Sequence, residues 1–104
     1  MRDLPSLPKK VIGSIADVKV VVGRTDSTNA GEFTEDDNLM PEIRVSDKLA
    51  APLRWETWFH EWLHMMEFES GVRLRGEQPD DDVDRLAMAM YACYLRNGWT
   101  LPGE

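Results

Sequence analysis

The pattern of apolar and polar residues predicts strands in the first half of the chain and helices in the second half. Residues 17–22 read Asp-Val-Lys-Val-Val-Val, a β-branched and partly alternating run that Gly23 closes. Residues 42–46 read Glu-Ile-Arg-Val-Ser and alternate throughout. Because successive side chains of a strand point to opposite faces of a sheet, both runs are predicted to be half-buried strands.

The connection between these two strands is long and has no clear period. Residues 24–41 are rich in Thr, Ser, Asn, Asp and Gly, which favours an irregular connection. Connections longer than about 12–15 residues in a compact domain are usually functional or partly structured. An additional short strand around residues 31–34 is therefore a second interpretation of this segment.

Two helices are predicted in the second half of the chain. Residues 51–70 are strong helix formers that begin near Pro52 and are followed by Gly71, which suits a C-terminal cap. Apolar residues cover far more than one stripe of this helix, so it is predicted to be the central element, packed on several sides. Pro79 and the aspartates after it start a second helix over about residues 79–96, because acidic side chains suit the N-terminal end of a helix.

These elements predict an α+β fold, in which a small antiparallel or mixed sheet packs on two main helices. The 104 residues are enough for one core but too few for a separate substrate-binding domain, so residues 1–104 are predicted to form a single domain. Residues 1–10 contain Pro5 and Pro8 and are expected to be a loosely ordered lead-in.

The net charge of the chain limits the classes of partner that it is expected to bind. The chain has a net charge of −7 and a sequence pI of about 4.8. Phosphate binding needs a basic face, so this balance argues against nucleic acid or an anionic membrane surface as a partner. No stretch approaches the roughly 18 apolar residues of a membrane span, and the first residues lack the apolar region of a secretion signal. A cytoplasmic protein is therefore expected.

The single cysteine and most of the tryptophans are expected in packing roles. Cys93 excludes an internal disulfide, and its apolar neighbours predict a small buried helix residue rather than a nucleophile. Trp55, Trp58 and Trp62 lie on the central helix at spacings typical of core packing. Apolar surface left exposed on so small a domain would favour self-association.

The candidate chemistry lies in the motif His60-Glu61-Trp62-Leu63-His64. Residues four apart share a helix face, so His60 and His64 can present two imidazole nitrogens to one tetrahedral zinc ion (Zn2+). Glu61 lies beside them, where it can take a proton from the attacking water and pass it to the leaving group. Both histidines of the chain belong to this motif. The alternative is a pair of core histidines that are hydrogen-bonded to backbone.

A catalytic zinc site has three protein ligands, and the remaining one is expected to be a carboxylate at the start of the second helix. The candidates are Asp80, Asp81, Asp82 and Asp84. Helical spacing places Asp80, Asp84 and Ala87 on one face, where the small Ala87 permits close approach of the two helices. This favours Asp80 as the ligand and Asp84 as the carboxylate that accepts the other ring N–H of a ligating histidine. The reverse assignment, with Asp84 on the metal, stays open.

A donor that stabilises an oxyanion is also expected near the metal. Tyr91 lies on the face of the second helix that carries Asp80 and Asp84, and Tyr94 and Arg44 are alternatives. Each of the three residues also fits a packing or surface role.

The motif and the Asp-x-x-x-Asp pair on a second helix resemble the gluzincin-like zincins and the ImmA/IrrE-type peptidases, in which a glutamate on the second helix completes the site. In this resemblance the family's second-helix pair falls on Asp80 and Asp84, with an aspartate in place of the glutamate. Residues 43–98 also look like small phage and prophage proteins with a Thr-x-x-His-Glu-x-x-His helix and a Val-Asp-x-Leu-Ala helix. The resemblance implies a minimal zincin-like domain in the cytoplasm of a bacterial host. It also implies that the strand at 42–46 borders the cleft and offers a free edge to an extended peptide.

Two functions follow from these observations. The first is a zinc metallopeptidase that cleaves peptide or protein substrates with Glu61 as the general base. The second is a non-catalytic interaction or inhibitory protein, in which the same zinc ion staples the two helices together. A DNA-binding regulator is disfavoured by the negative net charge.

Overall fold

The computed structural model describes residues 4–13, 17–25, 30–36, 39–74 and 81–102. These residues form four strands and then two helices: β1 (Lys10–Ile12), β2 (Asp17–Gly23), β3 (Gly31–Asp36), β4 (Leu39–Ser46), α1 (Ala51–Ser70) and α2 (Asp81–Asn97). The predicted α+β class is confirmed, since a four-stranded mixed sheet is followed by two helices that pack together and on the sheet. The additional strand considered around residues 31–34 is present as β3.

The strands lie in the order β1-β2-β4-β3. β1 pairs antiparallel with β2, β2 pairs parallel with β4, and β3 pairs antiparallel with β4. β4 therefore has a neighbour on each side, and the prediction that residues 42–46 offer a free edge is wrong. The physical reason is that the long connection folds back as β3 and takes up the hydrogen-bonding groups on that side of β4. Within the described residues, β3 is the edge strand on this side of the sheet.

Alternation along β2 and β4 decides which face of the sheet is covered. Val18 and Val20 of β2 are buried, as are Ile43 and Val45 of β4, whereas Lys19 points to the other face and is exposed. The helices contribute further buried residues to this core, namely Trp55, Trp58, Phe59, Leu63, Met65, Val83, Ala87 and Tyr91. One side of α1 contacts the sheet and another side contacts α2. Apolar residues are therefore needed around most of the circumference of α1.

Both helices end at a glycine in the left-handed conformation. Gly71 follows α1 with φ of 76°, and its amide donates to the carbonyl of Glu67 at 2.9 Å. Gly98 follows α2 with φ of 65°. Glycine adopts this conformation without a steric penalty, which explains why the chain leaves each helix there.

The segment before β1 packs against the first half of α1. The indole N–H of Trp55 donates to the carbonyl of Pro5 at 2.8 Å, and Pro8 is buried. Leu4 and Leu7 are partly buried against the core. The described part of the expected lead-in therefore helps to cover Trp55.

Cys93 is exposed, so the prediction of a buried cysteine is wrong. The buried stripe of α2 passes through Val83, Ala87 and Tyr91, which follow each other at intervals of four residues. Cys93 lies two residues after Tyr91 and therefore about 200° further around the helix, on the side away from α1.

Several large apolar side chains are exposed, and they come from both sheet and helices. They are Ile12, Val22, Leu53, Phe68, Val72, Leu86, Met88 and Trp99. Among the described residues, neither helix combines the length and the apolar composition needed to cross a bilayer.

Replacing Phe59 should destabilise the fold more than replacing any exposed apolar residue. Phe59 is fully buried, and its ring contacts those of Trp55, Trp58, Trp62, Tyr91 and Tyr94. Phe59→Ala should lower the free energy of unfolding by about 3–5 kcal/mol, because it leaves a cavity between the two helices. Met88→Ala on the exposed side of α2 is the control and should change it by less than about 0.5 kcal/mol. Urea denaturation measures both values, and equal losses would contradict this account of the core.

Candidate metal centre

The polar face of α1 lines a cavity of about 610 Å³. Thr57, His60, Glu61, His64 and Glu67 line it from this helix. These positions recur at intervals of three or four residues, so they form one stripe on a helix that is otherwise largely apolar. The remaining lining residues are Ala30, Gly31, Phe33, Leu53, Glu56, Phe68, Arg73 and Asp84. The cavity therefore opens between α1, β3 and the start of α2.

The two histidines turn the same ring nitrogen toward each other. Nε2 of His60 lies 3.1 Å from Nε2 of His64. Two nitrogens bound to one tetrahedral zinc at 2.0–2.1 Å would lie about 3.3 Å apart, so the observed separation is close to that of a shared metal ion. The side chains are 15% and 27% exposed, respectively, which leaves the pair accessible from the cavity.

Each histidine contacts a carboxylate through its other ring nitrogen. Nδ1 of His60 lies 3.0 Å from Oδ1 of Asp84, and Nδ1 of His64 lies 2.8 Å from Oε1 of Glu67. An ionised carboxylate only accepts hydrogen bonds, so both Nδ1 atoms are donors. In two neutral rings the Nε2 atoms then both carry lone pairs, and at 3.1 Å these repel each other unless a cation or a proton lies between them.

Asp84 is the carboxylate expected to hold a histidine ring. It is located on α2, next to the buried Val83, so the packing of α2 on α1 brings its side chain to His60. Its contact is to Nδ1, on the opposite side of the ring from the histidine pair. This geometry favours Asp84 as a residue that orients His60 over the alternative in which Asp84 binds the metal.

Glu67 was not identified from the sequence. It is only 8% exposed, and both of its carboxylate oxygens accept hydrogen bonds, Oε1 from His64 and Oε2 from the amide of Leu74 at 2.8 Å. Burying a carboxylate is costly unless it is hydrogen-bonded in this way. The spacing in the sequence could have identified this contact, because Glu67 lies three residues after His64 and so shares its helix face.

Glu61 is 6% exposed and lines the cavity where β3 comes closest to α1. The close approach depends on Gly31 of β3. A Cβ atom at position 31 would lie 2.5 Å from Cγ2 of Thr57 and 3.3 Å from Cγ of Glu61. A glycine in the edge strand therefore lets the backbone of β3 lie directly against the motif, which fixes one wall of the site.

The predicted third ligand, Asp80, lies outside the described residues, as does the side chain of Asp81. Within the part of the chain that the structure describes, no three side chains of His, Cys, Asp or Glu are grouped so as to hold a metal ion. Asp80 as a ligand thus remains a prediction.

Tyr91 is buried in the core between the helices. It is 8% exposed, its ring lies 6.2 Å from that of Phe59, and it is not among the described residues that line the cavity. Tyr94 also packs on Phe59, while Arg44 pairs with Glu42 at 2.9 Å on the sheet face away from α1. The oxyanion donor therefore stays a prediction.

The lining of the cavity is acidic. Glu56, Glu61, Glu67 and Asp84 contribute carboxylates, and Arg73 is the only arginine or lysine among the described residues of the lining. Such a surface attracts a divalent cation, whose charge would offset the carboxylates around it.

Comparison with known proteins assigns no family, since no family model, no curated protein and no solved structure matches the chain. The resemblance to zincins consequently rests on the motif and on the helix that follows it.

Removing the charge of either carboxylate that contacts a histidine ring should weaken zinc binding. Glu67→Gln and Asp84→Asn should each lower zinc affinity by about 10–100-fold, because the ring loses the partner that orients it and raises its basicity. Competition with a chromogenic chelator measures the affinity. Glu56→Gln, in the same cavity wall, is the matched control. Unchanged affinity in both test variants would contradict the proposed roles of these contacts.

Filling the contact at Gly31 should push β3 away from the motif. Gly31→Ala should cost about 1–3 kcal/mol of stability, because the new methyl group overlaps Thr57. Adding Thr57→Ala should restore part of the loss, and a double-mutant cycle measures that coupling. If the two effects simply add, the strand and the helix do not depend on this contact.

Proposed function

We propose that this chain is a zinc-dependent peptidase in which His60 and His64 bind the metal and Glu61 is the general base. The observation that carries this proposal is the pair of Nε2 atoms at 3.1 Å, with a carboxylate on each Nδ1. Hydrogen bonding of Nδ1 to a carboxylate favours the tautomer in which Nε2 can bind a metal, which is the tautomer that a zinc ligand requires.

The chain's own residues would divide the work at such a centre. A bound zinc ion supplies a Lewis acid that polarises a carbonyl group and eases the deprotonation of water. His60 and His64 would hold it through Nε2, and Asp84 and Glu67 would fix the orientation of the two rings. Asp80 is proposed as the remaining protein ligand.

Glu61 is the residue proposed to move the proton. It follows His60 directly and so points about 100° further around the helix, beside the face that carries the two Nε2 atoms. Glu61 is buried at the wall of the cavity, and its Cγ lies close to the position that a Cβ atom would take at Gly31. In the proposed reaction it takes a proton from the attacking water and delivers it to the amine that leaves.

A peptide is the proposed substrate class because the cavity borders the edge of β3 with which no strand among the described residues pairs. The amide of Ser46 donates to the carbonyl of Ala30 at 2.8 Å, so hydrogen bonds to β4 fall on alternate residues starting at Ala30. The backbone groups of Gly31 and Phe33, which line the cavity, consequently point away from β4. An extended peptide can pair with them and bring a carbonyl group to the histidine pair.

A structural zinc site is the second candidate function. The contact between His60 of α1 and Asp84 of α2 links the two helices, so a metal at this point would also tie them together. In an interaction or inhibitory protein, the metal would hold the two helices together and no substrate would be cleaved. The proposed location in either case is the cytoplasm, and the exposed apolar side chains are proposed as a surface for self-association.

Glu61→Gln should abolish hydrolysis without removing the metal. The rate of cleavage of an unstructured protein such as casein should fall by about 100- to 10,000-fold, because the amide cannot accept the proton. Zinc content, measured by mass spectrometry of the native protein, should stay at one ion per chain. Glu56→Gln should keep its activity. A zinc-loaded wild type that cleaves no peptide would overturn the proposed enzyme.

Metal removal separates the two candidate functions. For a peptidase, chelation should abolish cleavage and lower the melting temperature modestly, because the core around α1 is built from apolar residues. For a structural staple, chelation should unfold the protein. Thermal denaturation followed by circular dichroism, with and without chelator, distinguishes these outcomes.

A further inference from the structure

Phe33 and Phe68 form an apolar wall at one end of the cavity. Their ring centroids lie 5.9 Å apart, and both residues line the cavity. Phe68 is 43% exposed although it is a large aromatic residue on the polar face of α1. Core packing therefore buries only part of the Phe68 side chain.

The position of this wall relative to the histidines follows from the residue spacing along α1 and β3. Phe68 is one turn beyond His64 on the same face of α1, which is about 6 Å along the axis. Phe33 is two residues beyond Gly31 on β3, which is about 7 Å along the strand. Gly31 lies against Thr57 and Glu61, so α1 and β3 run in the same direction along the cavity. The wall lies toward the C-terminal end of both elements.

A paired peptide has a preferred direction on β3. Antiparallel pairing is somewhat more stable per residue than parallel pairing. In an antiparallel peptide, the residues that lie beside Phe33 come before those that lie beside Gly31 and Glu61. The wall is then located on the amino side of the bond that reaches the histidine pair.

We infer that Phe33 and Phe68 form a specificity subsite that accepts a large apolar side chain within two residues on the amino side of the cleaved bond. The inference rests on the proposed function of the histidine centre. The neighbouring polar groups support it, because Glu67 is already hydrogen-bonded to His64 and Leu74. Arg73, which lines the same cavity, disfavours a basic side chain.

Cleavage mapping tests the position of the subsite. Zinc-loaded wild type is incubated with a library of unstructured peptides, and the cleaved bonds are identified by mass spectrometry. Large apolar residues should be enriched within two positions before the cleaved bond. Phe68→Ala should lower kcat/KM for such peptides by about 10–100-fold and leave peptides with Ala there almost unchanged. Enrichment only after the bond, or none, would overturn the inference.

The matched control is Leu53→Ala. Leu53 is on the same helix, lines the same cavity and is 50% exposed, but it lies on the N-terminal side of the histidines. This variant should keep the preference of the wild type for apolar residues before the bond. An equal loss in the Leu53 and Phe68 variants would also overturn the inference.

A binding experiment separates this subsite from the proposed enzyme. Zinc-loaded Glu61→Gln protein is titrated with two fluorescent decapeptides that differ only by Phe or Ala at one position. The Phe peptide should bind about 10–100-fold more tightly, and Phe68→Ala should remove the difference. Such binding without any cleavage by wild type would support the subsite and overturn the peptidase. Cleavage without a difference in binding would overturn the subsite alone. The comparison of the two peptides uses only the Glu61→Gln protein, so it tests the subsite even if Phe68→Ala does not fold.

Discussion

The rest of the structure depends on the burial of α1. The sheet covers one side of this helix and α2 covers another, and the segment before β1 adds the contact to Trp55. Trp55, Trp58 and Phe59 supply most of the aromatic surface that these neighbours bury. A helix with so much apolar surface would be insoluble alone, so the four strands and α2 are needed to satisfy it. The polar stripe that carries both histidines is covered only in part, since Glu61 and Glu67 are buried whereas the two imidazole rings line the cavity.

This burial also determines where the two histidine rings lie. Both rings are on a rigid helix, and each is held by a carboxylate from a different source. Glu67 comes from the next turn of α1 and is tied to the backbone of Leu74, whereas Asp84 depends on the docking of α2. One ring is thus oriented by local helix geometry and the other by tertiary packing. The docking of α2 is therefore coupled to the geometry of the candidate metal site.

The wall opposite the helix is made by the backbone of the edge strand β3 and by the side chain of Phe33. Gly31 allows the backbone of β3 to reach Thr57 and Glu61, and the same strand places Phe33 against Phe68. Backbone hydrogen-bonding groups, a buried carboxylate and an apolar surface consequently lie along one cavity. The proposed peptide substrate would use all three features, since its main chain, its reacting bond and its side chains need different partners.

The sequence by itself determined β2, β4, the two helices and the motif, because each of these depends on local periodicity. The 20 residues of α1, its glycine cap and the shared face of His60 and His64 follow from helical spacing within one segment. The approach of Asp84 to a histidine ring was also predictable, because α2 has a clear buried stripe through Ala87. Only the tertiary structure decided that β3 covers β4, that Cys93 faces solvent and that Gly31 meets Thr57. Those outcomes depend on which distant segments pair and on how two helices rotate against each other, and no pattern within a single segment encodes either.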